Sequence, residues 1–223
     1  MRAAIFDLDG TLVDTAPDIV AALNGALSDL GYGTVGGDAG RAMIGGGARR
    51  LVELALAAQT GSEPGDGLVE TALERFMVYY GEGSVARSAV YPGVREALSR
   101  FGEEGLAMGV CTNKPHAISL TVLDRLDLGG HFRAVVGGDA LPEKKPAASH
   151  LLETVSRTQK DAAEVIMVGD SATDVAAARN AGVPVVVVSY GYSMLPAAEL
   201  GADAVIADMR ELPDVMAGLW RAA

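Results

Sequence analysis

Short apolar stretches, rich in valine and isoleucine, punctuate the chain, and each runs into polar or glycine residues. Residues 3–6 lead into Asp7-Leu8-Asp9-Gly10-Thr11, residues 106–110 into Cys111-Thr112-Asn113-Lys114, and residues 165–168 into Gly169-Asp170-Ser171. Residues 132–136, 183–188 and the shorter 204–207 repeat the pattern, the first of these running into Gly137-Gly138-Asp139. Unbroken apolar runs of this length predict strands buried on both faces, as in a parallel sheet. Between them, residues 94–101, 117–128, 147–155, 174–181 and 194–200 carry apolar side chains at helical spacing. Alternation of this kind predicts an α/β fold on a doubly wound parallel sheet.

The rhythm breaks between residues 16 and 85. There residues 19–30, 49–58 and 68–80 read as helices, no stretch resembles a buried strand, and residues 31–47 and 61–67 are glycine-rich connectors. The pattern resumes near Tyr91-Pro92-Gly93. The expected organisation is a core of residues 1–15 and 86–223 with an inserted α-helical cap over residues 16–85. No internal repeat, heptad run or low-complexity tract interrupts it.

Composition narrows the function classes. Hydrophobic residues at 49% and charged residues at 21% are ordinary globular values, which argues against disorder. The single Cys111 excludes an internal disulfide framework and cysteine-rich zinc sites, and the three histidines (116, 131 and 150) are too scattered for a histidine cluster. A net charge of −11 disfavours binding to nucleic acid or an anionic membrane, and no apolar run approaches the ~20 residues of a membrane span. Met1 leads directly into the first strand, with no room for a signal peptide, so a soluble cytoplasmic protein is expected. The oligomeric state is left open.

Ligands of open α/β sheets bind beyond the carboxyl ends of the strands. Those ends carry Asp7, Asp9, Thr112, Asn113, Asp139, Asp170 and Ser171, with lysines at 114, 144 and 145 nearby. Several acids in one crevice repel each other unless a cation or proton compensates, and oxygen donors favour a hard ion, most readily Mg²⁺. Asp7 and Asp9 lie two apart, so an extended chain points both to one side. One could attack an electrophile while the other handles the leaving-group proton; a plain strand end with capping acids is the alternative. Asp170 is the favoured metal ligand. Asp174 reads as a helix-capping acid, a role compatible with supporting a metal. Thr112 and Asn113 could donate to a phosphate or serve turn chemistry. Cys111 reads as a core residue with no histidine placed to activate it.

A lysine of the Lys144-Lys145-Pro146 segment could neutralise charge on a phosphoryl group, though a solvated pair is the ordinary reading. Gly45, Gly46 and Gly47 precede a helix whose N–H groups could meet an anion. Arg41, Arg49 and Arg50 beside them would suit a carboxylate or phosphate, or lie on a solvated face. Neither a Walker A nor a Rossmann glycine fingerprint is present.

Together these pieces resemble the haloacid dehalogenase superfamily of phosphohydrolases over nearly the whole chain, and within it the phosphoglycolate phosphatase group. Asp7–Asp14, Cys111–Pro115, Lys145-Pro146 and Gly169–Asp174 look like its four motifs in order, and the helical insert matches its cap. The resemblance implies a small phosphorylated metabolite as partner, most readily 2-phosphoglycolate, and Mg²⁺ as cofactor. Asp7 would be the nucleophile and Asp9 the general acid and then base. Thr112, with Asn113, would bind the phosphoryl group, and Lys145, unlike a peripheral Lys144, would stabilise its charge. Asp7, the backbone carbonyl of Asp9 and Asp170 would hold the metal, supported by Asp174 and Ser171. One departure stands out: where the group has His, Pro and a further Pro after Lys-Pro, this chain reads Ala147-Ala148-Ser149-His150. The other readings weighed are a β-phosphoglucomutase-like phosphoryl transfer, another sugar-phosphate phosphatase, and a receiver-type switch. Receiver domains are about half this length and lack a cap.

Overall fold

The computed structural model describes residues 2–83, 85–158 and 164–222. Met1, Ser84, residues 159–163 and Ala223, all inside the two expected domain ranges, lie outside the described residues. A six-stranded sheet is formed by β1 (Arg2–Phe6), β4 (Ala107–Cys111), β5 (Ala134–Val136), β6 (Glu164–Gly169), β7 (Val185–Val188) and β8 (Ala204–Ile206). Every pairing is parallel, in the order β5-β4-β1-β6-β7-β8. From central β1 the chain moves to β4 and β5 on one side, then crosses to β6, β7 and β8 on the other. That reversal opens a crevice at the carboxyl ends of β1, β4 and β6.

Alternation along each strand assigns side chains to two faces. Ile5, Cys111, Met167, Val185 and Val187 face a core shared with Leu151 of α7 (Ala148–Thr158) and with Val175 and Ala178 of α8 (Ala172–Ala181). Phe6, Val110, Val168 and Val186 face the opposite way, toward Leu98 and Phe101 of α5 (Val94–Glu103) and Leu212 and Met216 of α9 (Leu212–Ala222). Helices cover both faces, as the doubly wound expectation requires.

Between β1 and α5 the chain runs through β2 (Val13–Asp14), α1 (Ala16–Asp29), α2 (Gly37–Arg41), α3 (Ala48–Thr60), α4 (Asp66–Gly83) and β3 (Ala89–Val90). Leu23 and Leu27 of α1, Leu56 of α3 and Phe76 of α4 are buried in a core continuous with the sheet's second face. The outgoing and returning chain are tied together twice. β2 pairs antiparallel with β3. The buried Asp18 carboxylate also accepts the backbone N–H of Arg87 and Ser88 and the Ser88 hydroxyl, at 2.6–3.0 Å.

Several local expectations need correction. Residues 194–200 do not form a regular helix; a single 3-10 turn spans Ala197–Glu199. Pro196 explains this, because it has no N–H and drives its predecessor away from helical geometry. The helix expected over 117–128 is α6 (His116–Arg125), which ends short of Leu128. The glycine-rich connector contains α2, and α9 was not anticipated, although Leu212, Met216, Leu219 and Trp220 make an amphipathic spacing.

Candidate active site

Asp7 leaves β1 still held by the sheet, its N–H donating to the Val168 carbonyl at 2.9 Å. The chain then turns tightly, the Leu8 carbonyl accepting from the N–H groups of Thr11, Leu12 and Val13. Gly10 makes the turn possible. Its φ is +82°, and a Cβ there would lie 2.5 Å from Asp170 Oδ2. The turn therefore presses against the end of β6, where Asp170 accepts from the Tyr192 N–H at 2.6 Å and from Thr11 Oγ1 at 3.2 Å. Ser171 caps α8 in a reciprocal capping box with Asp174.

Asp7, Asp170 and Asp174 are buried, with one oxygen of each lying within 4.8 Å of the others. Lys145 Nζ stands between two of them, 2.9 Å from Asp7 Oδ1 and 2.6 Å from Asp174 Oδ1. Burial, reinforced by the neighbouring Asp174 and Asp9 and opposed by Lys145, pushes the Asp7 carboxyl up to about 6. Burial, with repulsion from Asp174 and Asp7, holds Asp170 well above the usual carboxylate range. Burial alone would lower Lys145, but Asp174 and Asp7 hold it above its ordinary value.

Three carboxylates against one ammonium leave a net charge of −2 when all are ionised. A divalent cation matches that charge, and hard oxygen donors suit Mg²⁺. The two oxygens of Asp174 are engaged by Lys145, by Ser171 Oγ at 2.7 Å and by the N–H groups of Asp170 and Ser171. Asp7 Oδ1, by contrast, has no hydrogen-bond partner among the described residues beyond its ion pair. The residues present therefore fit a metal held by Asp7 and Asp170, with Asp174 orienting Lys145. Asp9's carboxylate lies outside this trio. Its Oδ1 accepts from Thr15 Oγ1 at 2.6 Å and from Lys114 Nζ at 2.8 Å.

Asp7, Asp9, Thr112, Asn113 and Lys114 line one cavity with Gly45 and Gly47. The loop after β4 is held to the sheet by Thr112 N–H donating to Val136 O at 3.1 Å. Asn113 Nδ2 bridges to Gly45 O and Lys145 O, both at 3.0 Å, and Asn113 Oδ1 is buried without a partner among the described residues. Gly47 has φ +88°, and a Cβ there would lie 2.7 Å from Lys144 Nζ and 3.2 Å from Asn113 O. Lys144 is half-buried rather than solvated: its Nζ donates to Gly46 O at 2.7 Å, and it does not line the cavity.

The arginines expected to meet substrate are engaged elsewhere, and none lines the cavity. Arg41 pairs with Asp14 at 2.8 Å and lies over the Tyr192 ring. Arg49 contacts Glu53, Asp66 and Glu70, and Arg50 contacts Glu53. Asp139 accepts from the His116 N–H at the start of α6 rather than joining the acid cluster.

Cys111 is buried, and burial pushes its thiol up to about 11. Contrary to expectation a histidine is close, with His150 Nδ1 3.6 Å from Sγ. That nitrogen already accepts the Lys145 N–H at 3.1 Å, while Nε2 contacts Gly137 O at 3.1 Å. His150, from the segment that departs from the group's pattern, thus anchors the Lys145 backbone.

Sequence reasoning noted Lys114 without giving it a role, and missed Tyr80 and Tyr192. The Tyr192 hydroxyl accepts the N–H groups of Thr15 and Ala16 and donates to Asp14. The polar stretch after β7 is the signal for Tyr192, whereas Tyr80, inside α4, carries none.

A family model described as haloacid dehalogenase-like hydrolase matches residues 4–188. Among curated relatives, a phosphoglycolate phosphatase of Agrobacterium fabrum is 39% identical over 209 residues, covering 94% of this chain and 89% of that protein. One of Caulobacter vibrioides is 43% identical over 209 residues, covering 93% and 87%. A crystal structure described as a predicted phosphoglycolate phosphatase from Haemophilus somnus superposes with a TM-score of 0.85 at 30% identity, covering 96% of both chains. The chain belongs to the haloacid dehalogenase-like hydrolase family.

Proposed function

We propose that this hydrolase releases phosphate from a small phosphorylated metabolite, with 2-phosphoglycolate the favoured substrate, through an aspartyl-phosphate on Asp7 and with Mg²⁺. The observation that carries the reading is the Asp7–Lys145–Asp174 arrangement beside Asp170, opening on a cavity that Asp9 also lines. Phosphoglycolate phosphatases at about 40% identity support the substrate.

In the first step an Asp7 oxygen attacks phosphorus, the bond to the ester oxygen breaks, and Asp9 gives that oxygen a proton. Water then attacks the phosphoryl group on Asp7, Asp9 takes its proton, and the Asp7 carboxylate is restored. Lys145, oriented by Asp174, meets charge on the transferring oxygens, with Thr112 and Asn113 as further donors. Mg²⁺, when bound by Asp7, Asp170 and the Asp9 carbonyl, supplies positive charge to the phosphoryl oxygens. We assign residues 1–15 and 86–223 to this chemistry. Residues 16–85 act as the cap that excludes water and surrounds the rest of the substrate.

The test is phosphate release from a panel of phosphorylated metabolites with and without Mg²⁺. Many turnovers that require the metal, fastest on 2-phosphoglycolate, are expected. A single stoichiometric phosphorylation would instead indicate a switch, and isomerisation of a sugar phosphate without release a mutase.

A further inference from the structure

The cavity above Asp7 is walled on one side by Ile19, Ile44, Leu51 and Phe76. Its volume is about 40 Å³, room for a group of a few atoms, and a second cavity of about 250 Å³ shares Asp7, Asp9, Ile44 and Gly45 with it. Among the described residues that line the smaller cavity, Lys114 is the cationic side chain. Its side chain is 1% exposed, and its Nζ is held by two partners, Asp9 Oδ1 at 2.8 Å and the Tyr80 hydroxyl. The ammonium also lies 4.6 Å from the centre of the Tyr80 ring.

Donor counting shows what is left over. A lysine ammonium carries three N–H groups and no acceptor. Two are engaged, so one remains. Because the Tyr80 hydroxyl accepts from Lys114, its own proton must point elsewhere, and no acceptor among the described residues takes it. Two adjacent buried donors thus remain open beside the apolar wall of a cavity that Asp7, Asp9, Thr112 and Asn113 also line. The N-terminal end of α3, Gly47 and Ala48, lines the same cavity and adds the positive end of a helix that lacks a side-chain cap.

We infer that Lys114 and Tyr80 form the subsite for a second anionic group of the substrate, a carboxylate close to the phosphoryl ester. The assignment rests on the phosphatase reading above and sharpens its substrate class to short phosphorylated carboxylates. It also relocates that recognition from the arginines at 41, 49 and 50 to a residue two positions beyond Thr112. Tyr80 comes from α4 and Lys114 from the loop after β4, so the subsite is complete only when helical segment and sheet are together.

The experiment compares kcat/KM for 2-phosphoglycolate and ethyl phosphate in the wild type, Lys114→Met and Tyr80→Phe, with Mg²⁺ present. Both substrates have a poor leaving group, so any disturbance of Asp9 lowers both alike, and the ratio isolates carboxylate recognition. The wild type should prefer 2-phosphoglycolate. Lys114→Met should lower that preference at least about tenfold, as expected for a lost charged hydrogen bond, mainly through KM. Tyr80→Phe keeps the ring over Lys114 and should lower it about threefold. An unchanged ratio in both variants, or a wild type without preference, overturns the subsite while leaving the phosphatase reading intact. A wild type that releases phosphate from neither compound, nor from any member of the metabolite panel, overturns the phosphatase reading itself.

Discussion

The strand ends and the helices that face them hold their polar side chains by different means. At the strand ends the backbone does much of the work. Asp7 continues the pairing with β6, Asp170 is fixed by the Tyr192 N–H, and Asp174 by the N–H groups of Asp170 and Ser171. Facing the cavity, the helical segment meets the sheet through a few side-chain bonds: Asn113 to Gly45 O, Lys144 to Gly46 O, and Lys114 to Tyr80. Those contacts could break without moving any acid of the cluster. A rigid, backbone-held reacting centre thus sits beneath a lining joined to it by side-chain contacts.

The largest expected effect lies in the rigid half. Asp7→Asn should lower turnover by more than about 10³-fold, since an amide is a poor nucleophile. Lys145→Ala should lower kcat by roughly 10²–10³-fold, as for loss of a preorganised charge at a transition state. Lys144→Ala removes only the hold on Gly46, and should raise KM by less than about tenfold with kcat nearly unchanged. Steady-state kinetics on the three variants checks this ordering. Equal kcat losses at the two lysines would erase the distinction between cluster and lining.

A smaller effect concerns pH and metal. The folded-state carboxyl of Asp7 is raised from 3.8 to about 6, so between those values the folded protein holds a proton that the unfolded chain has released. Metal-free protein should therefore lose stability as pH rises through that window, by on the order of 2–3 kcal/mol. Mg²⁺ should bind the ionised acids and offset the loss, so its effect on Tm should be small near pH 4.5 and several degrees near pH 7.5. Thermal melts with Mg²⁺ or with EDTA at the two pH values measure it. A Mg²⁺ shift that is equal at both would contradict a site built from these acids.

The smallest effect is expected on the outer helix face. Arg49 is half-buried and Arg50 exposed, and the two are engaged with Glu53, Asp66 and Glu70. Alanine at either should change kcat/KM for 2-phosphoglycolate by less than about twofold. A selective loss would return substrate recognition to that face.

The sequence made the rigid half far more legible than its lining. Asp7, Asp170 and Thr112 follow apolar runs that could only be buried strands, so their place at one edge of a parallel sheet was readable from the pattern. Lys145 was readable from its motif, though not the His150 that holds its backbone. Arg49 looked available because its acid partners sit 4, 17 and 21 positions away, on its own helix and the next. Lys114 could not be oriented from sequence, because the loop after β4 decides whether it faces solvent or Asp9. Tyr80 looked like one more apolar position of α4, and only the packing of that helix over the strand ends turns its hydroxyl into the cavity.

The central claim is that Asp7 carries the phosphoryl group. Asp9→Asn, supplied with p-nitrophenyl phosphate and Mg²⁺, tests it most directly. That leaving group needs no proton, so the first step proceeds, while loss of the base slows attack by water on the intermediate. Rapid acid quenching and peptide mass spectrometry should then find a phosphoryl adduct confined to Asp7, at a level approaching one per chain. Nitrophenol release without an adduct at Asp7, or with the adduct on another residue, would contradict the account.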